Sequence, residues 1–134
     1  MIVDSSVWID LLNGEETAVA NHLAKAIFDR DPILVPGLVL TEVLQGLPNE
    51  AEAQRVGSLM AAFPSPPDLE ADGYRRAAAL YRACRARGTT PRSTIDCLLA
   101  QICLLLDVPI LARDRDFEAI AKVAPLKLVE LGER

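Results

Sequence analysis

Carboxylates are the plentiful chemical resource of this chain. Its 134 residues include 19 Asp and Glu, one histidine (His22) and three cysteines (Cys84, Cys97, Cys103) with no Cys-x-x-Cys spacing. A His-rich zinc site or a Ser-His-Asp triad is therefore not expected. Five acids stand where the chain changes character. Asp4 directly follows Ile2-Val3, and Glu42 follows Ile33-Leu34-Val35. Asp96 opens an apolar stretch, and Asp114 and Asp116 follow Ile110-Leu111. Taken singly, most have a structural alternative. Asp4 before Ser5-Ser6 could cap a helix, Ser93-x-x-Asp96 resembles a capping box, and Asp114 and Asp116 suit a turn. Glu42 is harder to place this way, because it lies at the margin of an apolar stripe. Gathered in one crevice, such acids repel and desolvate each other unless a cation neutralises them. With oxygen ligands, Mg²⁺ or Mn²⁺ is the expected ion. Such an ion attracts phosphate oxygens, lowers the pKa of a bound water and stabilises charge in an in-line displacement. Phosphodiester hydrolysis is the chemistry this predicts.

The acids can meet only if the fold brings them to one edge. Ile2-Val3, Ile33–Val35 and Ile110-Leu111 are short apolar runs with strand character, and Lys127–Val129 offers a final one. Helical spacing of apolar residues follows from Val7 to Leu12, Glu16 to Phe28, Leu40 to Leu47 and Val56 to Phe63. It resumes from Leu69 to Arg87, from Ser93 to Leu106 and from Phe117 to Ala121. Asn13-Gly14, Gly46, Pro48 and Gly88 supply the stops. Pro64-Ser65-Pro66-Pro67 is the one proline-rich loop, with room for a short edge strand. Short strands alternating with helices predict an α/β fold: a short, mostly parallel central sheet with helices on both faces, three layers in all. In such sheets ligands bind beyond the carboxyl ends of the strands, where Asp4, Glu42 and Asp114 fall. The length fits one domain over residues 1–134.

A net charge of −5 and a pI near 4.8 argue against coating nucleic acid by bulk charge. The charge is uneven, however. Residues 75–92 carry Arg75, Arg76, Arg82, Arg85, Arg87 and Arg92 with no acid, leaving eight basic against nineteen acidic residues elsewhere. The segment is either a solvated helix face or a track for a phosphate backbone. Arg92, just ahead of Asp96, is the candidate for the scissile phosphate; Arg82, Arg85 and Arg87 are candidates for more distant contacts along the same backbone. The N-terminus has no charged-then-apolar leader, and no apolar run could span a bilayer, so a cytoplasmic protein with reduced, buried thiols is expected. A mean hydropathy of +0.21 suggests apolar helix faces left for a partner to cover.

Four ordered motifs together resemble the PIN-domain ribonucleases, and within them the VapC toxins of VapB–VapC toxin–antitoxin pairs. They are residues 1–8 (Met-Ile-Val-Asp-Ser-Ser-Val-Trp), 40–46 (Leu-Thr-Glu-Val-Leu-Gln-Gly), 90–100 (beginning Thr-Pro-Arg-Ser-Thr-Ile-Asp) and 110–117 (Ile-Leu-Ala-Arg-Asp-Arg-Asp-Phe). The resemblance covers nearly the whole chain and implies a PIN-like fold and an Mg²⁺-dependent endoribonuclease cutting tRNA or another structured RNA. It makes Asp4, Glu42, Asp96 and Asp114 the acidic cluster. Asp4, Asp96 and Asp114 would be metal ligands, and Asp116 a further one through water. Ser6 would order the first acid or a water, while Ser5 stands where the family more often has threonine. It also implies a homodimer, a VapB-like antitoxin and a larger hetero-oligomer with it. The competing class is a receiver-like signalling module with an Mg²⁺-binding acidic pocket. That would need an acid pair beside the first strand and a lysine at the end of the last. Here Ser5 and Ser6 flank Asp4, and Lys127 precedes its strand.

Overall fold

The computed structural model describes residues 1–131. Two parallel strands form its centre: β1 (Ile2–Val3) pairs with β2 (Ile110–Leu111) in the register Ile2 to Ile110 and Val3 to Leu111. Successive residues on a strand point to opposite faces, and all four side chains are buried. Both faces of the sheet are therefore covered by helices, which is the three-layer α/β/α arrangement.

Single parallel bridges extend the sheet on either side, Leu34 to Ile2 and Leu128 to Ile110. The runs expected as full strands at 33–35 and 127–129 are thus reduced to one bridged residue each. Pro32 and Pro36 bracket the first run and lack the N–H groups that would lengthen its ladder. The proline-rich loop contributes no strand; Pro64 only accepts a hydrogen bond from the Val35 amide at 2.9 Å.

Among the described residues seven helices follow the expected order: α1 (Ser5–Leu12), α2 (Ala18–Phe28), α3 (Gly37–Gln45), α4 (Glu50–Met60), α5 (Ala71–Ala86), α6 (Thr94–Leu106) and α7 (Arg115–Ala121). α1 packs against α2 and α3, α3 packs against α4, and α5, α6 and α7 pack together. Helices as short as α1 and α3 are marginal alone. Buried Val7, Trp8, Val39 and Val43 hold them. Gly14 and Gly88 take positive φ just past α1 and α5, a conformation that suits glycine.

α4 departs from its apolar spacing. It begins six residues before Val56 because Asn49 caps it, accepting from the Glu52 amide at 2.9 Å. It ends before Phe63, which instead meets Trp8 edge-on with ring centroids 5.3 Å apart. The three cysteines are free and buried, and burial pushes Cys97 to about 11 and Cys103 to about 12. Among the described residues no helix is long and apolar enough to cross a membrane.

Candidate metal centre

The end of each central strand turns an acid into the first residue of a helix boundary. The Asp4 amide still donates to the Leu111 carbonyl at 2.9 Å, completing the β1 ladder. Its side chain then starts α1, with Oδ2 accepting from Ser6 Oγ at 2.6 Å and from the Ser6 amide at 3.4 Å. Asp114 does the same for α7 after β2, Oδ1 accepting from the Asp116 amide at 2.9 Å. The capping alternatives for both are realised, yet each employs one carboxylate oxygen, Oδ2 of Asp4 and Oδ1 of Asp114.

Asp96 differs. Ser93 caps α6 through Oγ, which accepts from the Ile95 amide at 3.1 Å, and no reciprocal bond from the Ser93 amide to Asp96 occurs among the described residues. The capping box is therefore half formed, and buried Asp96 is turned toward other acids. One carboxylate oxygen from each of Asp96, Asp114 and Asp116 lies within 4.8 Å of the others. Asp116 is the more buried member of the closing pair, its side chain 12% exposed against 26% for Asp114. The Arg92 amide donates to Asp116 Oδ2 at 2.9 Å.

Glu42 reaches the same edge from α3 and is half-buried. Its Oε1 accepts from Ser5 Oγ at 3.0 Å. The two serines after Asp4 thus divide their work: Ser6 holds Asp4 and Ser5 holds Glu42. Ser5 carries a hydrogen bond that sequence reading assigned to no partner, because the acceptor is 37 positions away.

Burial first, with repulsion between the acids added, shifts Asp96, Asp4 and Glu42 upward. Asp96 is pushed to about 8 by burial, by a hydrogen bond shared with Asp116, and by the charges of Asp4, Asp114 and Asp116. Burial also lifts Asp4, against the pull of its bonds from Ser6 and Ser5, with Asp114 adding repulsion. Glu42 rises through burial and the Asp4 charge, opposed by Ser5. Asp114 runs the other way. Burial would raise it, but the Asp116 amide, Arg92 and Arg113 outweigh that and hold it low. The donor set is all carboxylate oxygen, which fits a hard divalent cation.

Arg92 places Nη2 2.8 Å from Asp114 Oδ1 while its side chain stays 75% exposed. A cavity of about 620 Å³ opens here, lined by Ser6, Arg92, Arg113, Asp114, Arg115 and Asp116. Arg113 and Arg115 alternate with acids and add no net charge, so no basic run marks them in the sequence. The α5 arginines are split. Arg76 is tied to Asp72 at 2.7 Å near the start of the helix, roughly 15 Å along the axis from its end. Arg82, Arg85 and Arg87 are exposed toward the C-terminal half. Burial raises the Cys84 thiol in that half, with the Asp116 charge adding to the shift and Arg87 opposing it. Lys127, the residue a receiver-like pocket would need beside its acids, pairs with Asp107 at 2.9 Å instead.

Sheet, helices and acids define a class: an α/β/α protein with carboxylates converging at the carboxyl edge of a parallel sheet. The PIN domain family profile matches residues 1–123, and the chain belongs to that family. It is 27% identical over 128 residues to ribonuclease VapC11 of Mycobacterium tuberculosis, covering 95% of this chain and 96% of that one. Its fold is similar to VapBC2 from Rickettsia felis bound to a promoter DNA fragment (TM-score 0.71, 14% identity, 98% of each chain). It is similar also to VapBC-1 from nontypeable Haemophilus influenzae (TM-score 0.72, 13% identity, 96% of each chain).

Proposed function

We propose that this chain is an Mg²⁺-dependent endoribonuclease, the toxin of a type II toxin–antitoxin pair. The observation that carries this reading is the trio of carboxylate oxygens from Asp96, Asp114 and Asp116 within 4.8 Å of each other, in a PIN-family chain. The relative named ribonuclease VapC11 and the fold neighbours solved as VapBC complexes support the toxin role. The whole chain acts as one domain.

Asp4, Asp96 and Asp114 would hold the ion, with Asp116 direct or through water. Mg²⁺ is favoured, and Mn²⁺ is the alternative. When bound, the ion supplies Lewis acidity toward a phosphate oxygen and neutralises the acids. Ser6 fixes the Asp4 carboxylate. Ser5 fixes Glu42 Oε1, leaving Oε2 to take a proton from the attacking water. Water attack with departure of the 3′ oxygen leaves a 5′-phosphate and a 3′-hydroxyl. Arg92 exchanges its bond to Asp114 for the scissile phosphate, and Arg82, Arg85 and Arg87 contact RNA beyond it. A tRNA or another structured RNA is the expected substrate. A VapB-like antitoxin inhibits the enzyme, which forms a homodimer and, with antitoxin, a larger assembly. Exposed Phe28, Leu59 and Leu105 are available to such partners.

The test is incubation of the purified, antitoxin-free protein with total RNA, followed by mapping of new ends. Cleavage abolished by EDTA and restored by Mg²⁺ or Mn²⁺, with 5′-phosphate products, is expected. Full activity after rigorous chelation, or no cleavage with metal present, would overturn the reading.

A further inference from the structure

Asp10 is a buried acid that the metal centre does not use. It lies on α1, and its side chain is 7% exposed. Its Oδ2 accepts from Arg113 Nη1 at 2.9 Å, across 103 residues, and from Thr17 Oγ1 at 3.2 Å. Thr17 is itself fixed as the cap of α2, accepting from the Ala20 amide at 3.2 Å. Arg113 is therefore held at one nitrogen by a carboxylate that is anchored from a second helix. The Arg113 side chain is 54% exposed and lines the cavity beside Asp114.

The three arginines of that cavity are in different states. Arg92 is bonded to Asp114, and Arg115 has no ion pair among the described residues. Arg113, unlike Arg92, is held by an acid outside the metal centre, and its Nε and Nη2 have no hydrogen-bond partner among the described residues. A guanidinium fixed on one nitrogen presents its remaining donors as a fork suited to two oxygens of a phosphate, with less rotamer freedom to lose.

We propose that Arg113 binds a phosphate flanking the scissile one and that Asp10 is its positioning residue. This rests on the nuclease reading above. A tie that only joined α1 to the loop before α7 would affect stability without affecting substrate affinity.

The experiment measures kcat and KM on a short RNA, the dependence of KM on salt, and the thermal shift produced by Mn²⁺. Arg113→Ala should raise KM about tenfold or more, with a smaller change in kcat. It should also flatten the slope of log KM against log salt by about 0.7, the value for one phosphate contact on a single strand. The Mn²⁺ shift should be retained, and Arg113→Lys should recover part of the KM. Asp10→Asn should raise KM less and leave the salt slope unchanged, since the Arg113 charge remains. If Arg113→Ala leaves Asp10 unpaired and does not fold, the double variant Asp10→Asn, Arg113→Ala removes the buried charge and supplies the measurement. Wild-type KM and salt slope in folded variants of a cleaving enzyme would overturn the phosphate contact alone. A wild type that cleaves no RNA would overturn the nuclease reading, and this inference with it.

Discussion

Ser5, the first residue of α1, donates its hydroxyl hydrogen to Glu42 of α3 over 3.0 Å, while its neighbour Ser6 holds Asp4 at 2.6 Å. Two consecutive hydroxyls thus connect acids from two helices. Ser5 is buried and Glu42 is only partly so, which means the serine is the fixed end of the pair.

Ser5→Ala should therefore cost about 1 kcal/mol of stability and release Glu42 from its position. Cleavage is expected to fall about ten- to hundredfold, as misplacement of a reacting group commonly does. Ser5→Thr keeps the hydroxyl and should retain most of the activity. Parallel melts and cleavage rates check both, and an Ala variant of normal rate would remove Glu42 positioning from the mechanism.

Asp96→Asn separates a metal ligand from a helix cap. Asn caps about as well as Asp, and Ser93 already fills that role, so the fold should persist. Cleavage should fall at least about a hundredfold. Without metal the variant should melt at or above the wild-type temperature, because one repelling acid is gone. Mg²⁺ should stabilise the wild type more than the variant. Normal cleavage by folded Asp96→Asn would return Asp96 to a purely structural role.

Burial of Asp96, with the same repulsion added, sets a pH dependence. Folded, metal-free protein holds a proton on Asp96 up to about 8, whereas the unfolded chain releases it near the ordinary 3.8. The folded state binds more protons in that window, so stability should fall as pH rises through it. Asp4 and Glu42 act in the same direction, and Asp114, held low, acts against them. Melts in EDTA across this range should show the decline. Mg²⁺ should offset it increasingly toward the alkaline side, and Asp96→Asn should flatten it. A rise in metal-free stability from pH 5 to pH 8, steeper in wild type than in Asp96→Asn, would contradict the assigned repulsion.

Asn49→Ala offers a control remote in role from the acids. Loss of the α4 cap should cost about 1 kcal/mol, a fall of roughly 3–4 °C in Tm for a chain of this length. RNA cleavage at a temperature well below the melt should be unchanged.

Much of this molecule is written locally. Short apolar runs ending in Asp4 and Asp114, helical spacing after each, and stops at Gly14 and Gly88 are nearest-neighbour features, because turn chemistry and hydrophobic period act over a few residues. That is why the order of elements and the five acids were legible from the chain alone. The start of α4 does not show in the apolar spacing around Val56; its signal is the cap residue Asn49, three positions before Glu52. Other features required the packed fold. Whether residues 33–35 and 127–129 make full strands depends on how many backbone partners a neighbouring strand offers, and each run has one bridge. The pairing of Ser5 with Glu42 and of Asp10 with Arg113 joins residues 37 and 103 positions apart. No periodicity encodes such distances. Nor could composition show that carboxylate oxygens of Asp96 and Asp116 lie within 4.8 Å while Arg92 pairs with Asp114. Those outcomes follow from burial and from which charges the fold sets side by side, and tertiary structure alone decides both.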